Sequence, residues 1–198
     1  MRDWFLTSDA TPELRLHGLL LRAARASDYD AWQKLRRQSH AFLKPFEPRW
    51  GESDLTKFVF KSRLKRSRQE ANSGSEFCFL IFKCDQDQEE LVGGLTLSNI
   101  RRRASQSATL GYWMGVDCTG QGIMSNAVAA IIPYVFNNLC LHRLQAASLP
   151  HNKPSRAVLE KNGFNEEGYA ENYLQIDGMW QDHVLYALTR ERYEGRRD

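Results

Sequence analysis

The stretch Gly111–Leu139, GYWMGVDCTGQGIMSNAVAAIIPYVFNNL, constrains this chain more than any other. It reads as a short aromatic strand, a tight polar turn and a long helix. Gly120 and Gly122 carry no Cβ, so the backbone can approach a ligand closely at that turn. The first amides of the following helix have no partner inside it. With roughly half a positive charge at the helix N-terminus, they form a site for a phosphate or pyrophosphate. The residues this picks out are Gly120, Gln121, Gly122, Ile123, Met124 and Ser125, reached from Met114, Gly115 and Val116 at the strand end. The turn is neither G-x-G-x-x-G nor a P-loop, so spacing alone leaves a plain tight turn equally open.

The rest of the chain bounds the reading. It has 198 residues, 42% hydrophobic and 26% charged, which suits one domain with a full core. No apolar run reaches the roughly 18 residues of a membrane span. The N-terminus, MRDWFLTSDATPELR, lacks the apolar region of a signal peptide. A cytoplasmic protein with no membrane contact is expected. Cys78, Cys84, Cys118 and Cys140 form no C-x-x-C pair and read as reduced thiols. No H-E-x-x-H or Cys/His cluster is present, so no metal is expected. The net charge is a mild +3, with basic runs at 61–68 and 101–103. They read as solvated faces or as contacts with RNA or another anionic surface.

Taken in order, residues 1–13 read as a leader and 14–22 as a leucine-rich strand. Ser27 to Asp30 has the form of a capping box opening a helix over 28–40, with Tyr29, Trp32, Leu35 and Arg36 inward. Two prolines hold 42–50 out of regular helix. That loop carries Phe42, Phe46, Trp50 and one acid, Glu47. It either packs over a core edge or lines a groove. Ser53 is expected to cap a helix over 54–72, with Leu55, Phe58, Val59, Ser62 and Arg66 on one face. Strands at 76–83, 91–100 and 107–116 form a meander, and Gly93-Gly94 marks a bulge or a close approach. Pro133 is expected to kink the helix after Gly122. A strand at 141–147 should lie parallel to 107–116, because a helix separates them. A short helix at 155–161 and strands at 164–169 and 183–188 follow, and the charged tail 189–198 is expected to be loose. The fold class is thus mixed α/β: one domain over 14–188, a mostly antiparallel sheet of about seven strands, and helices on both faces.

This order of parts resembles the GNAT N-acetyltransferase superfamily. Its cofactor motif, Gln/Arg-x-x-Gly-x-Gly/Ala, is met by Thr119-Gly120-Gln121-Gly122-Ile123-Met124; Gly122 fits, while Thr119 and Met124 depart. FLKPFEP, Gly111-Tyr112-Trp113, PHNKPS, NGF-x-x-EGYA and YLQIDGMWQDHVLYAL resemble the RimJ branch, the ribosomal-protein alanine N-acetyltransferases, over about 14–188.

The resemblance implies acetyl-CoA as cofactor and a ribosomal-protein N-terminus as acceptor, with basic patches available for ribosome association. An α-amino group has a pKa of about 7.7–8.0, so about one in ten is the free nucleophile at pH 7 and a modest base suffices. A backbone amide near Met114–Val116 is placed to stabilise the oxyanion. By resemblance Ser155 protonates the departing thiolate and Asn152 holds the pantetheine arm, while a helix cap is the plain reading of Ser155. Relatives carry a carboxylate where this chain has Asn172, which leaves Glu47 and Glu171 as candidate bases. Phe46, Trp50, Tyr112, Asn172 and Tyr173 are the candidate acceptor-binding residues. A small-amine acetyltransferase and a non-catalytic acyl-CoA or ribosome-associated module remain as alternatives.

Overall fold

The computed structural model describes residues 11–85 and 88–196, so most of the expected leader lies outside the described residues. Alternation builds the sheet. Leu19 and Leu21 enter one core cluster, whereas Leu20 between them enters the other. In the next strand Phe79 and Ile81 take the first face, and Leu80 and Phe82 the second. Strands buried on both faces belong at the centre of a sheet covered by helices on either side.

The strands are β1 (Leu14–Leu16), β2 (Leu19–Arg22), β3 (Phe77–Asp85), β4 (Gln88–Arg101), β5 (Ser107–Met114), β6 (Arg143–Ser148), β7 (Asn165–Ile176) and β8 (Met179–Thr189). They form one sheet in the order β1-β2-β3-β4-β5-β6-β8-β7. Among the described residues only β5 and β6 pair in parallel, as the intervening helix requires. The described residues hold eight strands because the expected strand 14–22 folds on itself. His17 (φ 47°) and Gly18 (φ 74°) turn it into a hairpin.

On one face, α1 (Tyr29–Gln38), α2 (His40–Leu43) and α3 (Lys57–Ser73) bring Trp32 and Phe60 onto Leu20, Leu80 and Phe82. On the other, α4 (Ile123–Pro133) buries Ala127, Val128 and Ile131 completely. Cutting Ile131 to alanine in such a site costs about 2–5 kcal/mol. α5 (Lys153–Lys161) and α6 (Arg190–Glu194) complete the chain.

Several local expectations shift. The expected capping box of Ser27 with Asp30 does not form, and Asp28 takes the position before α1 without a side-chain cap of that helix. Asp28 accepts hydrogen bonds from both terminal guanidinium nitrogens of Arg22 and from the amide of Arg25, and α1 begins after it. Thr56, not Ser53, caps α3, and Asp54 instead closes a turn on the Gly51 amide. The buried positions of α3 are consequently Phe60 and Ala71, and Phe58 is 79% exposed. Past Pro133 the helix widens: Leu139 N donates to Tyr134 O, five residues back, in a π-helical segment Tyr134–Asn138. The segment 170–182, expected to separate two short strands, is mostly strand itself, so β7 and β8 make one long hairpin. The tail also folds back. Tyr193 stacks on Phe136 at 5.0 Å, and Arg190 donates to the Phe136 and Leu141 carbonyls.

Candidate active site

The site begins where two strands part. β5 and β6 pair only from Ser107 to Thr109 and from Arg143 to Gln145. Beyond that, β6 continues along β8 while β5 stays with β4, and a wedge opens between them. Gly115 N donates to Val92 O at 2.9 Å. The antiparallel ladder alternates, so the Met114 and Tyr112 amides face away from β4, into the wedge. The Val116 amide is engaged by Ser39 Oγ at 3.0 Å. Of the three amides expected near the oxyanion, Met114 is therefore the one presented to the wedge. Sequence reading missed Ser39; a serine between two short helices carries no local sign of an anchor 77 residues away.

Close packing fixes this strand end. A Cβ on Gly115 would meet Leu35 Cδ1 at 2.5 Å, and one on Gly94 would meet Trp113 Nε1 at 2.4 Å. The expected close approach at Gly93-Gly94 is thus the seat of Trp113.

The glycine turn has the shape of an anion cradle. Gly120 and Gly122 both sit at φ 74°, and a Cβ at either would enter open space. Asn126 N makes the first bond of α4, to Gly122 O at 3.0 Å, so the Ile123, Met124 and Ser125 amides are not engaged within the helix. Gln121 Nε2 donates to Asp117 O, which braces the turn. These features fit a pyrophosphate. The side chains of Ile123, Met124 and Ser125 are buried, so they contribute through the backbone. A groove beside the turn, between α4 and α5, is lined by Ser125, Asn126, Lys161, Asn162, Tyr193 and Arg196. Asn162 Nδ2 ties the two helices together by donating to the Ser125 carbonyl and hydroxyl.

Across the wedge stands Ser155. Asn152, not Ser155, caps α5: its Oδ1 accepts from Ser155 N at 3.2 Å. The Ser155 hydroxyl is thereby released from capping and lies 2.9 Å from Tyr112 OH. Burial pushes the Tyr112 phenol up to about 12. It holds its proton and also donates to the Ser155 carbonyl at 3.1 Å.

The candidate acceptor side is built from the proline-bracketed loop and the β7–β8 hairpin. Glu47 accepts from Arg36 at 2.8 and 2.6 Å and from Trp50 Nε1 at 2.8 Å. The Arg36 guanidinium lies between the Trp50 and Trp113 rings, at 4.2 and 4.6 Å from their centroids. Arg36 therefore contributes its charge as well as its stem. The loop is joined to the hairpin tip through Asp177 N, which donates to Glu47 O at 2.9 Å. Phe46 faces His151 at 6.2 Å, closing the loop against the turn before α5.

In the hairpin, Ala170 pairs with His183 and Leu174 with Gln181, so Glu171, Asn172 and Tyr173 stand opposite Asp182 alone. Asn172 has φ 47°, which breaks the simple alternation expected of an extended chain. Asp182 closes the bulge by accepting from Asn172 N at 2.8 Å and Tyr169 OH at 2.7 Å. Those donors, the Asn172 amide first, hold its carboxyl below the usual range. Tyr173 packs edge-on to the buried His183 at 5.8 Å. Glu171 is exposed, with no ion pair among the described residues. The described residues contain no group of His, Cys, Asp and Glu able to hold a metal. None of their helices is long and apolar enough to cross a membrane.

Comparison with known proteins agrees with this geometry. Residues 18–165 match the Acetyltransferase (GNAT) domain. The chain is 38% identical over 180 residues to the [ribosomal protein uS5]-alanine N-acetyltransferase of Escherichia coli, covering 90% of this chain and 92% of that protein. The chain belongs to the GNAT acetyltransferase family. Among solved structures, the acetyltransferase resembles Mycobacterium smegmatis RimJ in complex with CoA-disulfide, with 37% identity and a TM-score of 0.82 over 91% of this chain and 87% of that one. It also resembles the ribosomal-protein-S5-alanine acetyltransferase of Vibrio fischeri, with 28% identity and a TM-score of 0.84 over 91% and 97%. The wedge between β5 and β6, bordered by the glycine turn and the Ser155 hydroxyl, is the candidate site of this acetyltransferase.

Proposed function

We propose that this acetyltransferase moves the acetyl group of acetyl-CoA onto the N-terminal α-amino group of an alanine-starting protein, a small-subunit ribosomal protein. The observation that carries the reading is the 38% identity to the uS5-alanine enzyme along nearly the full length of both chains. The cell compartment is the cytoplasm, where such an acceptor is made. The exposed cations Lys61, Lys65 and Arg68 on α3, with Arg101 and Arg103 at the β4–β5 turn, offer a ribosome-facing surface.

Acetyl-CoA supplies the acetyl group as a thioester. The amides of Gly120 to Ser125 hold its pyrophosphate, and Lys161 and Arg196 add charge for the remaining phosphate. Asn152 spends its Oδ1 on the helix cap and keeps its Nδ2 for the pantetheine arm. The Met114 N–H faces the place where carbonyl charge develops. Ser155, held in line by Tyr112, would give its proton to the departing sulfur and take one back from water. All three hydrogen bonds of the Glu47 carboxylate come from Arg36 and Trp50, so it shapes the acceptor groove rather than taking a proton. Glu171, exposed in the bulge, receives the amine proton through water. Phe46, Trp50, Asn172 and Tyr173 line the groove between loop and hairpin.

The test is acetyl-CoA turnover with an alanine-starting peptide beside spermidine and an aminoglycoside. Turnover confined to the peptide is expected. Turnover confined to the small amines overturns the acceptor, and no turnover of any of them overturns the enzyme reading.

A further inference from the structure

The sheet ends at β7, so one edge of this twelve-residue strand carries no ladder among the described residues. Free edges are usually blunted by lysine, proline or a bulge; β7 bulges at Glu171–Tyr173, which leaves Gly168–Ala170 and Leu174–Ile176 in regular register on either side. Here residues 162–189, which span both strands of the hairpin, contain five acids and neither lysine, arginine nor proline. The acids are Glu166, Glu167, Glu171, Asp177 and Asp182. Glu166, Glu167 and Asp177 are paired with cations from other elements, whereas Glu171 and Asp182 have no ion pair among the described residues. The same hairpin is unusually apolar outside. Of the seven large hydrophobic side chains exposed among the described residues, five are its Tyr169, Tyr173, Leu174, Met179 and Trp180.

An unpaired edge with exposed apolar side chains and uncompensated acid suits an added strand that carries lysine or arginine. A second copy of this chain would set acidic edge against acidic edge, which costs rather than stabilises. The edge also leads away from the acceptor groove, because the hairpin tip is held by Glu47 O and Arg49. Resting on the function proposed above, we infer that β7 docks an extended, lysine- or arginine-bearing segment of the acceptor protein that follows its N-terminal residue. Main-chain bonds along β7 supply affinity, and the acids select the charge of the guest.

The experiment compares three alanine-starting peptides: one of about 20 residues with regularly spaced lysines, the same with glutamates, and one too short to reach along a strand that rises about 3.3 Å per residue. With the wild-type enzyme, kcat/KM for the long cationic peptide should exceed that of the other two by about tenfold, and added salt should erase the gain. Leu174→Lys and Trp180→Ser should remove that gain while leaving the short peptide unchanged. Equal kcat/KM for all three peptides, or a gain that survives both substitutions, overturns the inference. So does a sedimenting wild-type dimer that Leu174→Lys dissociates. If no peptide is acetylated, the proposed function falls, and fluorescence anisotropy of the labelled long peptides decides the docking. Tighter binding of the cationic one, weakened by Leu174→Lys, supports it; equal binding overturns it.

Discussion

The Tyr112 hydroxyl lies 2.9 Å from Ser155 Oγ and 3.1 Å from the Ser155 carbonyl oxygen. One side chain from β5 thus spans the wedge and grips the head of α5. With Asn152 supplying the helix cap, the Ser155 hydroxyl is not consumed by the helix and stands at the wedge.

Ser155→Ala should lower kcat by about 100-fold, the scale of general acid catalysis, with little change in acetyl-CoA affinity. Tyr112→Phe keeps the ring and removes both hydroxyl contacts with Ser155, of about 1 kcal/mol or more in all, so kcat should fall by about five- to tenfold. Steady-state kinetics beside calorimetric titration of acetyl-CoA check both. An unchanged kcat in Ser155→Ala would falsify its role as proton donor.

Gly122→Val places a branched side chain at φ 74° and fills the open space before the α4 amides. Acetyl-CoA binding should be abolished. The left-handed backbone adds a strain of about 1–2 kcal/mol, seen as a modest fall in melting temperature. Wild-type affinity in a folded variant contradicts the cradle.

Arg36 and Glu47 form a largely buried pair, with side chains 11% and 17% exposed. Arg36→Met leaves Glu47 buried without its partner, and stability should fall by about 3–5 kcal/mol in chemical denaturation. Glu47→Gln preserves the shape and should keep the pH–rate profile of the wild type. Loss of the acidic limb in Glu47→Gln, with Glu171→Gln unaffected, makes Glu47 the base instead.

The titration behaviour has a definite sign. Asp182 sits below its ordinary value in the folded chain, because Asn172 N and Tyr169 OH favour the carboxylate. Its contribution to stability is present above the unfolded carboxylate value of about 4 and is lost as pH falls through the lower folded value. The difference in melting temperature between wild type and Asp182→Ala should therefore shrink below about pH 4. Tyr112, at about 12, stays protonated through the working range. The rate should show no basic limb from it below about pH 10. A Tyr112→Phe variant that alone lost such a limb counts against the assignment.

Legibility varied with distance along the chain. Gly120 and Gly122 could be read locally, because a turn that needs positive φ before a helix writes its demand into adjacent residues. The parallel pairing of β5 and β6 followed from the helix between them. The start of α3 was misplaced by three residues. Ser53, Asp54 and Thr56 are all competent caps, and Asp54 is diverted to the Gly51 amide. The face of Glu171 could not be read from alternation, since Asn172 leaves the extended region inside the strand.

The glycine turn opening a helix is determined by sequence alone. Missing Cβ atoms and unbonded first-turn amides are properties of consecutive residues. What that turn serves was decided by tertiary structure. Ser39 reaches Val116, Tyr112 reaches Ser155, and Arg36 reaches Glu47 between two indoles. Each pairing depends on strand register and on where α1 presses against Gly115. Such contacts form only when distant segments pack, and no short window of residues encodes them.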